Sequence, residues 1–204
     1  MIIFGVGGVG GFAAEAIARA GVGNITIVDF DDVDITNINR QIIALHSTVG
    51  KMKVDVFKER IKDINPNVNI TAIAEKYTPE NGEKLLSSGK YDYAIDAIDM
   101  ITSKIHLIET CTKKGIKIIS SMGMGNKLDP TKIELTDIYK TSMCPLARVM
   151  RRELKARRIK KCLVAYSDEI PAKTGQRTPG SSVFVPASAG LMIAGYVFQS
   201  LIGG

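Results

Sequence analysis

The chain has 204 residues, of which 45% are hydrophobic and 24% charged, and its formal net charge at pH 7 is +6. This composition excludes an intrinsically disordered chain, and the length favours a single domain over residues 1–204 with a full hydrophobic core. Three separated cysteines are too few for a disulfide framework or a four-cysteine zinc site, so we expect a reducing, cytoplasmic location.

In the first half of the chain, short apolar runs alternate with helical patterns. Strands are predicted at residues 2–4, 24–30, 68–74, 93–98 and 117–121. Helices are predicted between them, at residues 12–20, 47–64, 79–88 and 102–114. Such alternation is typical of a parallel sheet with helices on both faces. We therefore predict an α/β protein with a Rossmann-like, mostly parallel sheet.

The second half adds elements to this sheet. Two more strands are predicted at residues 132–137 and 162–167, on either side of a basic helix at residues 145–158. A loop rich in Gly, Pro, Ser and Thr follows at residues 168–182, and then a last, apolar helix. Its apolar run, residues 187–202, is shorter than the roughly 20 residues that a membrane-spanning helix needs. We interpret it as a buried core helix and expect no membrane association.

Five glycines cluster directly after the first predicted strand, in the stretch GVGGVGG. Gly5, Gly7 and Gly10 form the pattern G-x-G-x-x-G between a strand and a helix, and Gly8 lies in the same turn. In this context the glycines allow a tight turn, a close approach of phosphate and close helix packing, with the helix N-terminus aimed at the anion. Asp29 ends the second strand, 19 residues after Gly10, where a carboxylate accepts hydrogen bonds from ribose. A tight turn without a ligand is the alternative.

The segment after Asp29 separates two classes of nucleotide-binding enzyme. The glycine pattern alone equally indicates a nicotinamide-dependent oxidoreductase. The stretch VDFDDVDITNINRQ and the residues that follow it add Asp31, Asn37, Arg40, Gln41, Lys51 and Lys53. An oxidoreductase has no use for cations beyond its dinucleotide, whereas an enzyme that cleaves a nucleoside triphosphate needs them to neutralise the leaving pyrophosphate. We therefore favour triphosphate cleavage.

Two carboxylates, Asp96 and Asp99, end the fourth predicted strand. Ligands of open α/β sheets bind at the carboxyl edge of the strands, and Mg²⁺ on a triphosphate is usually held through one or two carboxylates. We expect Asp99 to bind Mg²⁺. Each charged residue alone has a simpler interpretation, as a solvated charge or a strand-end cap, so the hypothesis depends on the whole set.

These motifs together resemble the nucleotide site of the ubiquitin-activating superfamily. The matching stretches are GVGGVG, VDFDDVDITNINRQ, VGKMK and DAID. The resemblance implies ATP and Mg²⁺ as cofactors, with Asp29 on the ribose and Asp99 on the metal. It also implies phosphate contacts from Asn37, Arg40 and Lys53. The expected nucleotide site further includes Gly5, Gly7, Gly8, Gly10, Asp31 and Gln41, and the expected catalytic residues are Arg40, Lys53 and Asp99.

The second half resembles one branch of that superfamily, the dehydratases that act on threonylcarbamoyladenosine in tRNA. The matching stretches are residues 121–161 and VFVPASAGLMIAGYV. This resemblance implies that ATP is used to cyclise the threonylcarbamoyl group, with tRNA as the substrate and a homodimer as the assembly. Members usually carry a helical segment before the first strand, and we expect this chain to lack it.

Activation of a ubiquitin-like sulfur-carrier protein is the alternative activity. Bacterial members of the superfamily adenylate the C-terminal glycine of such carriers, and many of these enzymes have paired C-x-x-C zinc motifs. This sequence has none. Their absence favours the dehydratase branch.

Residues 148–161 contain eight cations and one acid. Arg148, Arg151, Arg152 and Lys155 recur at helical spacing, so that most of them share one face of a helix. A cationic helix face can follow RNA phosphates, and we predict that these four residues contact the tRNA backbone. A solvated helix face is the alternative interpretation.

Overall fold

The computed structural model describes residues 1–172 and 180–203. Over these residues the strands are β1 (Ile2–Phe4), β2 (Asn24–Val28), β3 (Asn69–Ile73), β4 (Tyr93–Asp96), β5 (Lys117–Ser121), β6 (Ile133–Asp137) and β7 (Leu163–Ser167). The helices are α1 (Gly10–Arg19), α2 (Lys53–Ile64), α3 (Pro79–Ser87), α4 (Ile101–Lys114), α5 (Pro145–Ala156) and α6 (Phe184–Ile202).

The strands form one sheet in the order β3-β2-β1-β4-β5-β7-β6. β6 pairs antiparallel with β7, and the other neighbouring strands pair parallel. Ile3 of β1 lies opposite Ile27 of β2 and Ile95 of β4. The strand order reverses between β1 and β4, and open α/β sheets bind ligands at this reversal, beyond the carboxyl ends of the strands. The predicted fold class is confirmed.

Helices cover both faces of the sheet, and successive side chains of β1 point alternately into the two cores that these helices form with the sheet. Ile3 belongs to the core that α1, α2 and α6 cover, together with Ile17 of α1 and Phe57 of α2. Ile2 and Phe4 belong to the core beneath α3 and α4, and a third cluster joins α4 to α5. Strand β1 is therefore buried on both sides, and the glycine turn that follows it starts from a fixed position.

Helix α2 begins six residues later than predicted, at Lys53 instead of residue 47. The backbone before it pairs with the segment that follows β2, since Val33 N–H donates to the Lys51 carbonyl and Gly50 N–H donates to the Val33 carbonyl, both at 2.8 Å. The other predicted elements before residue 168 end within two residues of the observed ones. Residues 173–179 of the predicted loop lie outside the described residues.

Helix α6 packs one face against α1 and exposes the other. A Cβ added at Gly190 would lie 2.3 Å from the Val9 carbonyl oxygen, so the two helices meet at their backbones. By length and a mean hydropathy of 1.5 the helix could cross a membrane, and 39% of its apolar window is buried. The prediction of a buried core helix is therefore right only for its inner face. The exposed apolar face consists of Phe184, Leu191, Met192, Tyr196 and Ile202.

Candidate active site

A cleft of about 670 Å³ opens at the carboxyl edge of the sheet, across the ends of β1, β2, β4 and β5. It extends from Glu75 and Lys76, beyond β3, to the residues 123–125 beyond β5. Ten of the eleven residues predicted to bind the nucleotide line this cleft, and Gly10 does not. The structure thus brings together residues that are up to 94 positions apart in the sequence.

The glycine turn is fixed by its contacts with the end of β4. Gly5 has φ +82°, and a Cβ there would lie 2.6 Å from the Ala97 carbonyl oxygen. Gly10 packs against the end of β1 and not on the cleft, so a Cβ there would lie 1.8 Å from the Gly5 carbonyl oxygen. A Cβ at Gly7 would meet only Gln41, at 3.5 Å. Gly5 and Gly10 are therefore required by backbone packing, whereas Gly7 presents open backbone to the cleft.

Asp29 joins the end of β2 to the glycine turn. Its Oδ2 accepts a hydrogen bond from Val6 N–H at 2.8 Å, and its Oδ1 accepts one from Asp31 N–H at 3.0 Å. The residue is buried yet lines the cleft. Each carboxylate oxygen has a second lone pair, so the geometry leaves acceptor capacity for a ribose hydroxyl while the turn stays anchored.

Lys53 is the first residue of α2 and is 4% exposed. Its Nζ forms an ion pair with Asp31 Oδ2 at 2.9 Å. Both residues were predicted to bind nucleotide, but no sequence signal indicated that they pair with each other. The pair holds the buried ammonium group at the cleft wall, where a second anion can share it, since an ammonium group has three donors.

The short helical turn at residues 35–37 positions the next three predicted residues. Asn37 is buried, and its Oδ1 accepts a hydrogen bond from Asp34 N–H at 3.2 Å. The guanidinium of Arg40 donates to the Thr36 carbonyl at 2.8 Å. Gln41 is buried, and its Oε1 has no hydrogen-bond partner within the described residues. A buried polar atom without a partner is unusual, and because Gln41 lines the cleft, its amide group suits a polar ligand bound there.

The two carboxylates at the end of β4 have different surroundings. Asp96 is fully buried, forms an ion pair with Lys104 Nζ at 3.0 Å and accepts a hydrogen bond from Ser120 Oγ at 2.6 Å. Asp99 is exposed and lines the cleft. Asp99 is therefore the carboxylate of this pair that a ligand in the cleft can reach.

Helix α5 leads away from the cleft. Leu146, in its first turn, lines the cleft. Arg148, Arg152 and Lys155 are exposed along one side of the helix, and we refer to these three residues as the basic face. Arg151, predicted with them, is half-buried, and its guanidinium donates to the Thr141 carbonyl at 2.8 Å. Arg151 thus anchors the loop before α5, which the helical spacing did not reveal.

The cysteines are buried and free. Burial raises the pKa of the Cys111 and Cys162 thiols, to about 12 in each case. Within residues 1–172 and 180–203, no group of three or more His, Cys, Asp or Glu side chains is placed to hold a metal ion.

Comparison with known proteins identifies the family of this chain. The sequence profile of the ThiF family matches residues 1–204. The chain belongs to the ThiF family. The ThiF match spans both the cleft and the basic helix.

Relatives within the ThiF family match over most of the chain. The tRNA threonylcarbamoyladenosine dehydratase of Bacillus subtilis (strain 168) is 47% identical over 218 residues, covering 98% of this chain and 85% of that protein. The protein of that name from Escherichia coli (strain K12) is 46% identical over 154 residues, covering 76% of this chain and 57% of that protein. A solved structure of the E. coli tRNA N6-threonylcarbamoyladenosine dehydratase in complex with ATP has a TM-score of 0.92 and 38% identity, covering 99% of this chain and 85% of that chain.

Proposed function

We propose that this chain is an ATP-dependent dehydratase that adenylates and cyclises the threonylcarbamoyl group of threonylcarbamoyladenosine in tRNA. The observation that carries the proposal is the convergence of the glycine turn, Asp29, Arg40, Lys53 and Asp99 on one cleft. The names of the B. subtilis and E. coli relatives supply the substrate. The complex of the E. coli protein with ATP supports ATP as the nucleotide.

The proposed reaction has two steps. The substrate carboxylate attacks the α-phosphorus of ATP, and pyrophosphate leaves. A nucleophilic atom of the same threonylcarbamoyl side chain then attacks the acyl adenylate and AMP leaves, so the net change in the substrate is the loss of one water. The protein must position the reactants and neutralise the charge on the leaving groups. Neither task requires a nucleophilic cysteine, in keeping with the buried, high-pKa thiols of Cys111 and Cys162.

The cleft offers a donor or acceptor for each part of ATP. Asp29 accepts from the ribose, and the open backbone at Gly7 lies before the N-terminus of α1, where phosphates are stabilised by unpaired N–H groups. Lys53 and Arg40 approach the same space from α2 and from the segment after β2. Their positive charges stabilise the β and γ phosphates as negative charge grows on the leaving pyrophosphate.

Asp99 fits a Mg²⁺ ion bound together with the triphosphate. It supplies one exposed carboxylate at the cleft, and Mg²⁺ in triphosphate sites is usually held by one or two carboxylates and by phosphate oxygens. When bound, the ion supplies further charge neutralisation at the phosphates.

The basic face gives the RNA a place next to the cleft. Leu146 lines the cleft and Arg148 follows two residues later, so RNA that crosses α5 can place a modified base in the cleft. The cations of the basic face suit phosphates, which position RNA without reading its sequence. In this proposal Arg151 contributes less than the basic face, because it is half-buried and directed to Thr141, whereas the three residues of the basic face are exposed.

We also infer a homodimer, in line with the family resemblance. The exposed apolar face of α6 is a candidate contact surface, because its five large apolar side chains are exposed in the single chain, and two-fold dimers are the commonest soluble assemblies. Light scattering at micromolar concentration is expected to give twice the mass of the chain, and a stable monomer would contradict the inference. A cytoplasmic location without membrane association stays a prediction.

Exchange of labelled pyrophosphate into ATP tests the function. With tRNA that carries threonylcarbamoyladenosine we expect exchange, and mass analysis of the nucleosides is expected to show loss of one water. Unmodified tRNA is the matched control and should give neither. A sulfur-carrier protein ending in Gly-Gly should not support exchange, and exchange with the carrier but not with the modified tRNA would overturn the proposal in favour of carrier activation.

A further inference from the structure

Three helices of the described structure end in the same hydrogen-bonded motif. In each, a left-handed residue lies one or two positions beyond the helix, and the last carbonyls accept two backbone N–H groups, which is the Schellman arrangement. The left-handed residues are Gly21 after α1 (φ +84°), Gly115 after α4 (φ +69°) and Arg158 after α5 (φ +59°). At α5, Ile159 N–H donates to the Leu154 carbonyl at 3.0 Å.

Arg158 occupies a backbone position that glycine fills in the other two helices. The left-handed conformation brings the Cβ of an L-residue close to its own backbone, which is why glycine predominates there. An arginine therefore strains a motif that glycine would satisfy. Residues in such conformations persist only where the surrounding structure holds them, and they cluster at sites where the residue has a functional task.

The surroundings of Arg158 indicate that task. A second cleft, of about 420 Å³, lies between the end of α4 and the connection from α5 to β7. Five of its eight lining residues are cationic, and one is acidic. They are Glu109, Thr112, Lys113, Arg157, Arg158, Ile159, Lys160 and Lys161. We refer to it as the basic cleft.

The single carboxylate of the basic cleft is already engaged. Glu109 pairs with Lys113 at 2.9 Å and lies 3.6 Å from Arg157. Arg158, Lys160 and Lys161 are exposed. All five cations of the basic cleft are exposed, and ion pairs hold two of them, Lys113 and Arg157, in place. This arrangement suits a polyanion.

Helix α5 connects the basic cleft with the nucleotide cleft. Lys161 lies two residues before β7, which runs parallel to β5, so the basic cleft lies at the amino edge of the sheet. Leu146, at the start of α5, lines the nucleotide cleft at the carboxyl edge. The 12 residues of α5 span about 18 Å at 1.5 Å per residue, and the basic face lies along this path.

We propose that the basic cleft binds the phosphate backbone of the tRNA at a second point, with Arg158 as a phosphate contact. The proposal rests on the proposed function, in which tRNA is the substrate. The bound RNA runs from the nucleotide cleft along the basic face into the basic cleft. None of the eight residues that line this cleft in the described structure is aromatic, so the contacts are to phosphates and not to stacked bases.

Replacement of Arg158 by glycine separates strain from function. In Arg158→Gly the motif keeps its backbone bonds and loses the strain, so we expect a melting temperature equal to that of the parent or higher by up to about 3 °C. ATP binding should not change, because the basic cleft lies at the other edge of the sheet. The slope of log affinity for modified tRNA against log salt should become about 1 unit shallower, as for one lost phosphate contact.

Two further variants complete the test. Gly21→Arg puts an arginine into the same motif at α1, and its melting temperature should fall, which measures the cost of the strain. Lys160→Ala with Lys161→Ala should flatten the salt slope by about 2 units. If Arg158→Gly melts well below the parent, or binds tRNA with the parental salt slope while dehydration persists, the basic cleft is not an RNA site and the proposed function stands. If the parent protein itself does not bind tRNA, both proposals fail.

Discussion

Two glycines of the nucleotide turn are expected to fail in different ways when alanine replaces them. At Gly10, the new Cβ would lie 1.8 Å from the Gly5 carbonyl oxygen and 3.1 Å from the Cβ of Ala97. The first of these contacts is with backbone, which cannot yield unless β1 or α1 moves. At Gly7, the nearest atom is Gln41 Nε2 at 3.5 Å, an ordinary contact. Gly10→Ala should therefore damage the fold, whereas Gly7→Ala should damage the site.

The structure sets the size of both effects. Forcing a methyl group into a filled site typically costs about 1–3 kcal/mol, and 1 kcal/mol shifts the melting temperature of a chain of this length by about 2–4 °C. Gly10→Ala should thus lower the melting temperature by about 2–12 °C. The methyl of Gly7→Ala stands where a phosphate approaches the backbone. Loss of one hydrogen bond to a charged group, about 1.5–3 kcal/mol, corresponds to about 10- to 100-fold weaker ATP binding.

Thermal unfolding without nucleotide and calorimetric titration with ATP measure the two effects separately. Gly23→Ala is the matched control, because a Cβ there meets no atom within 4 Å, and it should leave both quantities near the parental values. The reasoning is refuted if Gly7→Ala lowers the melting temperature as much as Gly10→Ala does, or if Gly7→Ala binds ATP as tightly as the parent.

Three further predictions concern charge. Arg40→Ala and Lys53→Ala should each lower the rate of dehydration by about 100- to 1000-fold and weaken ATP binding much less; near-parental rates in single-turnover assays would contradict their role. Alanine at all three positions of the basic face should flatten the salt slope of tRNA binding by about 3 units. An unchanged slope would mean that these side chains are only solvated and do not contact the RNA. Although partial burial opposes it, hydrogen bonds from Arg60 and Arg19 lower the pKa of Glu15 below its ordinary value of 4.5. The charge of Glu15 therefore stabilises the fold above pH 4.5, and this stabilisation is lost as the pH falls through the lowered pKa. In urea unfolding, Glu15→Gln should be less stable than the parent at neutral pH, and this difference in the free energy of unfolding should shrink in acid. A difference that does not depend on pH would refute this.

The fold was largely predictable because its signals are local. Apolar runs define β1, β4 and β5, and Gly21 and Gly115 end α1 and α4, so these boundaries were predicted to within two residues. The start of α2 was not, because residues before it pair with Val33, far away in the sequence. Local periodicity contains no information on such pairing. For the same reason, the reversed direction of β6 against β7 became visible only in the structure.

The candidate site was predictable as a set of residue types but not as a set of contacts. The sequence predicted Lys53 and Asp31 separately, and the structure shows that they form one ion pair. It grouped Arg151 with the basic face, although Arg151 is half-buried and its guanidinium donates to the Thr141 carbonyl. It gave no sign that Arg158 lies in a left-handed conformation. Each of these facts depends on which side chain the fold places opposite, and that information is not local.

The motif DAID shows how one short stretch performs two tasks. Asp96 and Asp99 both follow the apolar part of β4, and by sequence they are equivalent carboxylates. A buried carboxylate remains charged only with a partner, and Lys104 provides it at 3.0 Å while its Nζ also donates to the Ile98 carbonyl at 3.0 Å. This bond holds the turn whose Ala97 carbonyl packs against Gly5. The buried acid therefore fixes the glycine turn and the position of Asp99 together, and because Lys104 balances the charge of Asp96, the negative charge that this strand end presents to the cleft is that of Asp99.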